Sequence, residues 1–308
     1  MTKFSVLILG NAAAAPTLSR NHTSQLINID EQYYLMDCGE GTQLRLREHK
    51  IRIQRINQIF ISHLHGDHYL GLIGLIQTMH LLGRKSKLTI YCPDNIKEII
   101  DIHLKYSGGQ PNYPIECIQI SKEVSETVFE NNKIEVISIP LSHRIACTGF
   151  LFREKPKQKR IDPKALKKYK IPKFEIAKIK SGNDYMSPEG NLIKNEALTF
   201  DPYPSFSYAF CSDTRYDEKI IPLIKGVDLL YHEATFTDAD EKRAKKTYHS
   251  TATQAAEIAK KAKAKRLIIG HFSNRYADFD VLLNEAKLVF KNTQIAAQGN
   301  EFNVAQTQ

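Results

Sequence analysis

The chain has 308 residues, of which 42% are hydrophobic and 25% charged, and its formal net charge is +9. This balance is typical of an ordinary globular protein and argues against an intrinsically disordered chain. Every apolar run falls well short of the roughly 20 residues that a transmembrane helix needs, so the sequence predicts no membrane span.

Short apolar runs alternate with helix-like stretches along the chain, which predicts an α/β protein. In chain order, strands are predicted at residues 4–9, 25–29, 33–36, 58–61, 88–91, 134–139, 208–211, 229–231, 267–269 and 294–297. Helices are predicted at 41–49, 69–82, 95–106, 251–263 and 280–290, the fourth of which begins with a capping box of Thr251 and Gln254. Because strands followed by helices recur in both portions, we expect a layered α/β sandwich of two similar halves.

The N-terminus and the cysteines both predict a cytoplasmic protein. The first apolar run is interrupted at Asn11 and is shorter than the core of a signal peptide. The five cysteines are odd in number, widely scattered and never paired as CxxC, which favours reduced thiols over a disulfide or zinc–cysteine framework. They are expected to be mostly small core residues: Cys38, Cys92, Cys117, Cys147 and Cys211.

The excess positive charge is concentrated in one segment. Residues 153–180 contain 12 Lys and Arg against 3 acidic residues, a net of +9, so the 31 basic and 31 acidic residues elsewhere cancel. Such a segment is either a solvated loop that aids solubility or a binding site for a polyanion. Its concentration favours nucleic acid as the partner.

The sequence FISHLHGDHYLG places four metal-binding side chains within six positions. His63 and His65 are two apart in an extended segment, so they point the same way and can chelate one ion. Asp67 and His68 follow the turn and can serve a neighbouring ion. We expect Gly66 to give the backbone the freedom to fold between the two pairs.

Further candidate ligands follow other predicted strands. His143, Asp213 and His271 each come shortly after a strand, where loops held by a rigid sheet collect binding groups. The predicted sets are His63, His65 and His143 for one ion, Asp67, His68 and His271 for the other, and Asp213 as a bridge. The alternative to a metal site is a set of structural histidines whose spacing is coincidental. Because seven residues fit one pattern, this alternative is disfavoured. Other histidines lack a partner pattern and are expected on the surface or in the core: His22, His49, His80 and His103.

The donor types predict both the metal and the reaction. Imidazoles mixed with carboxylates favour two Zn²⁺ per chain, with Mn²⁺ or Fe²⁺ as substitutes. Two ions about 3.5–4 Å apart lower the pKa of a bridging water to near 7 and neutralise charge that develops on a phosphate. The sequence therefore predicts hydrolysis of a phosphodiester.

Several motifs lie around these ligands. They are PTLSRN, LMDCGEGTQ, HLHGDH, SDTR, YHEATF, HST and HFSNRY, and they span nearly the whole chain. HLHGDH with the later ligands resembles the metallo-β-lactamase superfamily, and the other motifs resemble the ribonuclease Z family within it. This resemblance implies an αββα four-layer sandwich, a single domain of residues 1–308, with an inserted flexible basic arm at 153–195 that binds tRNA.

The same resemblance implies a function and catalytic residues. The family's enzymes are endoribonucleases that remove the 3′ trailer from precursor tRNA and leave a 3′-hydroxyl, often as homodimers. By this likeness Asp67 also accepts the proton of the attacking water. His249 protonates the leaving ribose oxygen and is held by Glu233. The alternatives are a plain helix neighbour for His249 and a surface carboxylate for Glu233. Asp37 is expected to orient a ligand or to cap a strand turn.

Substrate contacts are expected in two loops. Arg20 and Asn21 match a family loop that faces the tRNA 3′ end, although Leu18 stands where that loop usually has lysine. Ser273 and Arg275 follow a predicted ligand by two and four residues, where a hydroxyl and a guanidinium can hold the scissile phosphate.

The arm is expected to bind the RNA backbone. Lys167 and Lys168 are predicted phosphate contacts, which supply affinity without reading sequence. Tyr169, Phe174 and Tyr185 are expected to pack the arm itself, with stacking on bases as the alternative.

Two other functions stay open on the sequence alone. Another metallo-β-lactamase-fold phosphodiesterase or arylsulfatase acting on small substrates would share all seven ligands but would leave the arm unexplained. A non-catalytic RNA-binding protein with a structural metal is the other, although closed structural zinc sites are usually built on cysteines.

Overall fold

The computed structural model describes residues 3–107 and 110–305. The α-helices in these residues are α1 (Thr42–Glu48), α2 (Gly66–Tyr69), α3 (Gly71–Leu81), α4 (Ile96–Tyr106), α5 (Pro163–Lys168), α6 (Ile176–Lys180), α7 (Glu241–Thr247), α8 (Ala252–Lys261) and α9 (Asp280–Val289). Single 3₁₀ turns lie at Ile53–Arg55, Lys173–Glu175, Asn195–Ala197, Glu218–Ile220 and Asp238–Asp240. Within this part of the chain no helix combines the length and apolarity that crossing a membrane requires.

The strands run from near one end of the described chain to the other. In chain order they are β1 (Phe4–Gly10), β2 (Ser24–Ile29), β3 (Gln32–Met36), β4 (Ile56–Phe60), β5 (Leu88–Cys92), β6 (Ile115–Gln119), β7 (Thr127–Glu130), β8 (Ile134–Leu141), β9 (Cys147–Glu154), β10 (Arg160–Ile161), β11 (Tyr185–Met186), β12 (Leu192–Ile193), β13 (Thr199–Phe200), β14 (Ser207–Cys211), β15 (Leu229–Glu233), β16 (Leu267–Gly270), β17 (Thr293–Ile295) and β18 (Glu301–Asn303).

Two mixed sheets form the larger of two compact units, which comprises the described residues of 3–131, 135–153 and 206–305. One sheet has the order β18-β1-β2-β3-β4-β5-β6 and the other β17-β16-β15-β14-β9-β8-β7. Strands β3 to β6 are parallel to one another, and so are β14 to β17. Parallel strands leave their carboxyl ends at one edge of a sheet, and loops there can meet in a site.

Aromatic rings fill the space between the two sheets. The ring of Phe60 on β4 lies 5.2 Å from that of Phe150 and 5.3 Å from that of Phe152, both on β9. Tyr208 on β14 donates a hydrogen bond to the side-chain oxygen of Gln25 on β2. The two sheets therefore pack face to face.

Helices cover the outer face of each sheet. Leu46 of α1, Leu75 of α3 and Ile100 of α4 are buried in one cluster with residues of the first sheet. Ala256 of α8 and Leu282 of α9 are buried in a second cluster with residues of the other sheet. The layers are helix, sheet, sheet and helix, which confirms the predicted four-layer sandwich.

The second compact unit consists of residues 132–134 and 154–205. The predicted arm, 153–195, ends ten residues before this unit does. The unit has its own small core, formed by Ala165, Ile171, Ile179, Tyr185 and Leu198. Its strands pair as β10 with β13 and β11 with β12.

Local signals explain how α5 begins within this unit. The Asp162 side chain accepts the N–H of Lys164 at 2.8 Å, and Pro163 occupies the first position of α5. Tyr185 is buried and Tyr169 packs against the same core, as expected, whereas Phe174 is 75% exposed.

All ten predicted strands and all five predicted helices are present, with ends shifted by a few residues. The capping box of Thr251 and Gln254 at the start of α8 is confirmed, and the helix predicted at 69–82 is two helices, α2 and α3. Strand β9 was not predicted although its residues are almost all buried, and neither was the charged helix α7.

Replacing Phe60 with alanine is expected to lower the free energy of unfolding by about 3–5 kcal/mol, because a fully buried ring between the sheets would leave a cavity. The Phe174→Ala variant is the matched control, since this ring is 75% exposed and its loss should cost less than about 0.5 kcal/mol. Urea unfolding followed by circular dichroism measures both. Equal effects of the two substitutions would contradict a core between the sheets.

Candidate active site

The turn after β4 carries the first candidate ligands. His63 is fully buried just beyond this strand. His65 is extended, with φ −73° and ψ 143°, and directly precedes α2. Asp67 and His68 lie within α2, so the two pairs are presented by different backbone conformations, as the spacing predicted.

The expected role of Gly66 is wrong. It is the first residue of α2 and does not have a positive φ. The glycine that this turn requires is Gly39, where an added Cβ would lie 2.4 Å from the backbone oxygen of Asp67 and 2.4 Å from Cβ of His22. Close approach of the loop after β3 to α2 therefore depends on Gly39.

Four side chains from three loops converge in a first ligand set. His65 Nδ1 lies 3.0 Å from His63 Nε2 and 3.2 Å from His143 Nε2. Asp213 Oδ2 lies 3.6 Å from His63 Nε2 and 3.8 Å from His143 Nε2. Bonds of about 2.0–2.2 Å to one tetrahedral ion would separate its ligand atoms by about 3.3–3.6 Å. The set can therefore hold a metal ion.

A second set lies beside the first. His68 Nε2 and His271 Nε2 are 3.3 Å apart, and Asp67 Oδ2 lies 3.5 and 3.4 Å from them. Asp213 Oδ1 is 3.5 Å from His68 Nε2 and 3.2 Å from His271 Nε2. The two oxygens of Asp213 thus face different sets, and Asp67, His68 and His271 can also hold a metal ion.

The surroundings of Asp213 fit a bound cation. Its side chain is buried, and Oδ1 has no hydrogen-bond partner among the described residues. Burial acts to raise the pKa of this carboxyl, but the facing imidazoles of His271 and His68 outweigh it and lower the pKa. A buried, ionised oxygen without a hydrogen bond is rare unless a cation balances it.

The imidazoles of the first set are suited to metal binding. Burial lowers the pKa of His63, His65 and His143, which keeps these rings in the neutral form that binds metals. Burial also acts to lower the pKa of His68, but Asp213, Asp67 and Asp37 raise it well above its ordinary value. Three carboxylates thus surround the His68 ring with negative charge that a divalent cation can balance.

His249 lies next to the ligands but is held by Glu233. Its Nδ1 is 2.8 Å from Glu233 Oε1 and 4.0 Å from Asp213 Oδ2. Asp213, His249 and His271 form a third group near enough to share an ion, but the short contact to Glu233 engages Nδ1 of His249. Burial acts to lower the pKa of His249, but the ion pair with Glu233 outweighs it and raises the pKa to about 9.

Glu233 is fixed by neighbours on both sides. Its Oε1 accepts the N–H of Thr214 at 3.1 Å, and its Oε2 accepts the N–H and hydroxyl of Thr235 at 3.0 and 2.7 Å. Burial acts to raise the pKa of Glu233, but His249 outweighs it and lowers the pKa. The glutamate is buried rather than on the surface, contrary to the alternative considered for it.

Asp37 and Ser62 connect ligands of the two sets. Asp37 Oδ2 lies 2.7 Å from His68 Nδ1, which agrees with the expected orienting role. The hydroxyl of Ser62 donates to Asp37 Oδ2 at 2.9 Å and lies 3.0 Å from His63 Nδ1. Ser212 donates a further hydrogen bond to this hydroxyl at 3.0 Å. Sequence reasoning missed Ser62, although it directly precedes the histidine motif.

Backbone strain accompanies the ligand loops. Asp37, Tyr248 and His271 have φ of 52°, 60° and 58°, in the left-handed region. The backbone oxygen of Tyr248 lies 2.9 Å from His143 Nδ1, and the hydroxyl of Thr235 lies 2.9 Å from His271 Nδ1. Contacts of this kind fix ring orientation in metal sites. Such strain is typical of functional sites and requires support from the surrounding fold.

A cleft of about 460 Å³ opens onto both ligand sets. Asp67, Asp213 and His249 line it together with Arg144 and Arg243. Both arginines are exposed, and sequence reasoning did not single them out. The cleft thus combines buried carboxylates with cationic side chains at its edge, an arrangement suited to an anionic substrate.

The predicted substrate residues occupy different settings. Ser273 lines the cleft, whereas the guanidinium of Arg275 lies 3.5 Å from Asp240 Oδ1. Arg20 donates hydrogen bonds to the Asn274 side chain at 3.0 Å and to the Phe272 backbone oxygen at 3.5 Å. These contacts tie the predicted tRNA loop to the loop after His271.

Asn21 contacts other protein groups, whereas the two predicted lysines are exposed. The Asn21 N–H donates to Gln298 at 2.7 Å, and its side chain packs where a Cβ of Gly41 would be. Lys167 and Lys168 lie in the last turn of α5, in the second compact unit, and are exposed.

The four histidines that lack a partner pattern in the sequence belong to no candidate ligand set among the described residues. His49 contacts Arg45, His80 accepts the N–H of Asn112, and His103 is exposed on α4. His22 is buried in the wall of the cleft, and its ring nitrogens have no hydrogen-bond partner within the described chain.

Two family models match the chain. One described as Anti-Pycsar protein Apyc1 matches residues 4–157, and one described as Beta-lactamase superfamily domain matches residues 186–272. Together the two matches contain all seven candidate ligands. The first match spans half of the chain. Relatives that align along the whole length of the chain identify its family more narrowly.

Similar proteins agree on the fold and the family. The metallo-beta-lactamase fold protein YhfI from Bacillus subtilis covers 97% of this chain and 99% of its own, with 18% identity and a TM-score of 0.68, which supports the fold. The structure of human tRNase Z, short form, covers 98% of this chain and 100% of its own, with 26% identity and a TM-score of 0.70. Ribonuclease Z of Parabacteroides distasonis is 46% identical over 99% of this chain and 100% of its own length. The chain has a metallo-β-lactamase fold and belongs to the ribonuclease Z family.

Proposed function

We propose that the protein removes the 3′ trailer from precursor tRNA by hydrolysing one phosphodiester bond, and leaves a 3′-hydroxyl on the tRNA. Family membership and the likeness to human tRNase Z support this substrate. The observation that carries the chemistry is the position of Asp213, whose two oxygens face two separate sets of ligand atoms.

We propose two Zn²⁺ per chain, with Mn²⁺ or Fe²⁺ as substitutes. Asp213 would serve both ions, and its buried oxygen without a hydrogen-bond partner in the described residues supports this role. Bound ions would activate the attacking water and neutralise charge on the phosphate. The other proposed ligands are His63, His65 and His143 for one ion and Asp67, His68 and His271 for the other.

Asp67 is proposed to accept the proton of the attacking water. Its Oδ2 accepts the N–H of Ala14 at 2.8 Å, and the side chain lines the cleft. Burial acts to raise the pKa of Asp67, but His68 and His271 outweigh it and lower the pKa. The carboxylate is therefore ionised, as a proton acceptor must be.

His249 is proposed to protonate the leaving ribose oxygen, with Glu233 as the residue that positions it. An alkoxide is a poor leaving group, so a proton donor at this oxygen lowers the barrier. The ion pair with Glu233 at 2.8 Å orients the imidazole and favours its protonated form.

Substrate contacts are proposed for both predicted loops. Ser273 lines the cleft and could donate its hydroxyl to the scissile phosphate. Arg275 is proposed as a second phosphate contact, because it is exposed and follows Ser273 by two residues in the same loop. Arg20 and Asn21 are proposed to shape the loop that receives the RNA on the 3′ side of the scissile phosphate, since their contacts are to protein.

We propose that the basic arm binds the RNA backbone through Lys167 and Lys168. Both side chains are exposed, which leaves them open to phosphates. A homodimer is also proposed from the family resemblance, and exposed Leu44, Leu81 and Leu82 support it; sedimentation velocity tests it. We place the enzyme in the cytoplasm, because its proposed substrate is a cytoplasmic RNA.

Incubation of the purified protein with labelled precursor tRNA tests the function. We expect cleavage just after the discriminator base, and loss of cleavage in the His65→Ala and Asp67→Ala variants, because each removes a proposed ligand. His103→Ala is the control, since this histidine is exposed on α4. A wild-type protein that holds both metals and leaves the precursor intact would contradict the proposal. Hydrolysis of small phosphodiesters alone would favour the rival phosphodiesterase.

The role of His249 predicts a dependence on the leaving group. His249→Ala should lower kcat for precursor tRNA by about 10²–10⁴-fold. It should lower kcat much less for bis(p-nitrophenyl) phosphate, because nitrophenolate leaves without a proton. Glu233→Gln should act in the same direction with a smaller loss. Equal losses on the two substrates would assign His249 a merely structural role.

The contacts of Ser62 predict an effect on metal binding. Ser62→Ala removes the hydroxyl that touches both Asp37 and His63, so zinc affinity should fall about 10–100-fold. Thr148→Val is the matched control, because this buried hydroxyl has no hydrogen-bond partner in the described residues. Competition titration with a chelator measures both, and equal affinities in the two variants would refute the connecting role.

A further inference from the structure

A second cleft, of about 430 Å³, shares His249 with the first. Among the described residues that line the two clefts, His249 is the one common to both. Asp67 and Asp213 line the first cleft and not the second. His249 therefore stands between the metal-binding groups and a separate space large enough for part of the substrate.

Cationic side chains surround the second cleft. Arg215, Lys219 and Lys245 line it, and all three are exposed. The guanidinium of Arg215 is held in place, because its Nε donates to the Ser142 hydroxyl at 2.8 Å and it lies 5.1 Å from the centre of the Tyr248 ring. Among the described residues, neither Lys219 nor Lys245 forms an ion pair.

The two acidic residues of this cleft are already engaged. The Asp217 side chain accepts the N–H of Lys219 at 3.0 Å, at the start of a 3₁₀ turn. Glu241 Oε1 accepts the side-chain amide of Gln254 at 3.3 Å. Neither carboxylate forms an ion pair with Lys219 or Lys245 in the described residues, so both ammonium groups remain available to an anionic ligand such as a phosphodiester.

The direction of cleavage decides which part of the RNA would occupy this cleft. Hydrolysis that leaves a 3′-hydroxyl on the tRNA makes the ribose of the last retained nucleotide the leaving group. In an in-line displacement the attacking water and the leaving oxygen lie on opposite sides of the phosphorus. Asp67 is on the side of the water and His249 on the side of the leaving oxygen, so the retained nucleotide extends past His249.

We propose that the second cleft binds the nucleotide on the 5′ side of the scissile phosphate, with Lys219 and Lys245 contacting its own 5′-phosphate. This inference rests on the proposed function. The trailer then leaves through the first cleft, along the wall formed by Ala13, Ala14 and Leu70. The tyrosine ring of Tyr216 forms part of the second cleft and can pack against the sugar or base.

Steady-state kinetics on precursor tRNA test the two lysines. The double variant Lys219→Ala/Lys245→Ala should raise KM about tenfold or more, and the dependence of log KM on log salt should become less steep by about 1–2. The double variant Lys225→Ala/Lys287→Ala removes the same charge from exposed positions elsewhere and should keep the wild-type KM. Matching melting temperatures ensure that both variants are folded.

An equal change of KM in both double variants, or no change in either, would overturn the assignment of the cleft. Failure of the wild-type protein to cleave precursor tRNA would instead remove the proposed function on which the inference rests. The two failures are therefore distinguishable in one set of reactions.

Photocrosslinking gives a second measurement that does not depend on turnover. The probe is a tRNA that ends at its discriminator nucleotide, with 4-thiouridine at that position, so no scissile bond remains. The expected crosslinks lie in residues 215–219 or at Glu241, Lys245 or Gln254, which line the second cleft and not the first. Crosslinks confined to residues 13–22, to Leu70 or to any other segment would contradict the proposed direction of the RNA.

Discussion

The structure depends on a buried carboxylate that the described protein groups do not satisfy. Asp213 is 2% exposed, its Oδ1 has no hydrogen-bond partner in the described chain, and each of its oxygens lies 3.2–3.8 Å from imidazole nitrogens. Removing an ionised carboxylate from water costs several kcal/mol unless positive charge compensates it. The imidazoles of His63 and His143, whose pKa burial lowers, compensate only partly, so this position favours a bound divalent cation.

The fold stabilises this arrangement by holding the ligand loops on rigid strands. The ligand loops follow strands of two sheets whose aromatic faces pack together. The ligand rings are oriented by groups just beyond strands and, for Tyr248, at the end of α7. Asp37 and Ser62 hold His68 and His63, while the Tyr248 backbone holds His143. The positive φ values at Asp37, Tyr248 and His271 show that the backbone is strained where these contacts are made.

Sequence reasoning succeeded where the pattern is local. The period of apolar residues located the central strands, and the spacing of His63, His65, Asp67 and His68 predicted two adjacent ligand sets. It could not find groups whose role depends on three-dimensional proximity. The role of Ser62 depends on Asp37 and Ser212, which are distant in sequence and close in the fold. The role of Tyr248 depends on its backbone oxygen, which the residue type does not reveal. Helix α7 was missed because its sequence, EKRAKKT, has almost no apolar face. The backbone freedom expected at Gly66 is not needed there. The glycine that this turn requires is Gly39, where the loop after β3 lies too close to α2 for a Cβ.

The most direct test is an anomalous difference map, recorded at the zinc absorption edge, from crystals grown with zinc. The account predicts two peaks per chain about 3.5–4 Å apart, one on each side of the Asp213 carboxylate. A single peak, or zinc bound away from Asp213 while its two oxygens stay free of metal, would contradict it.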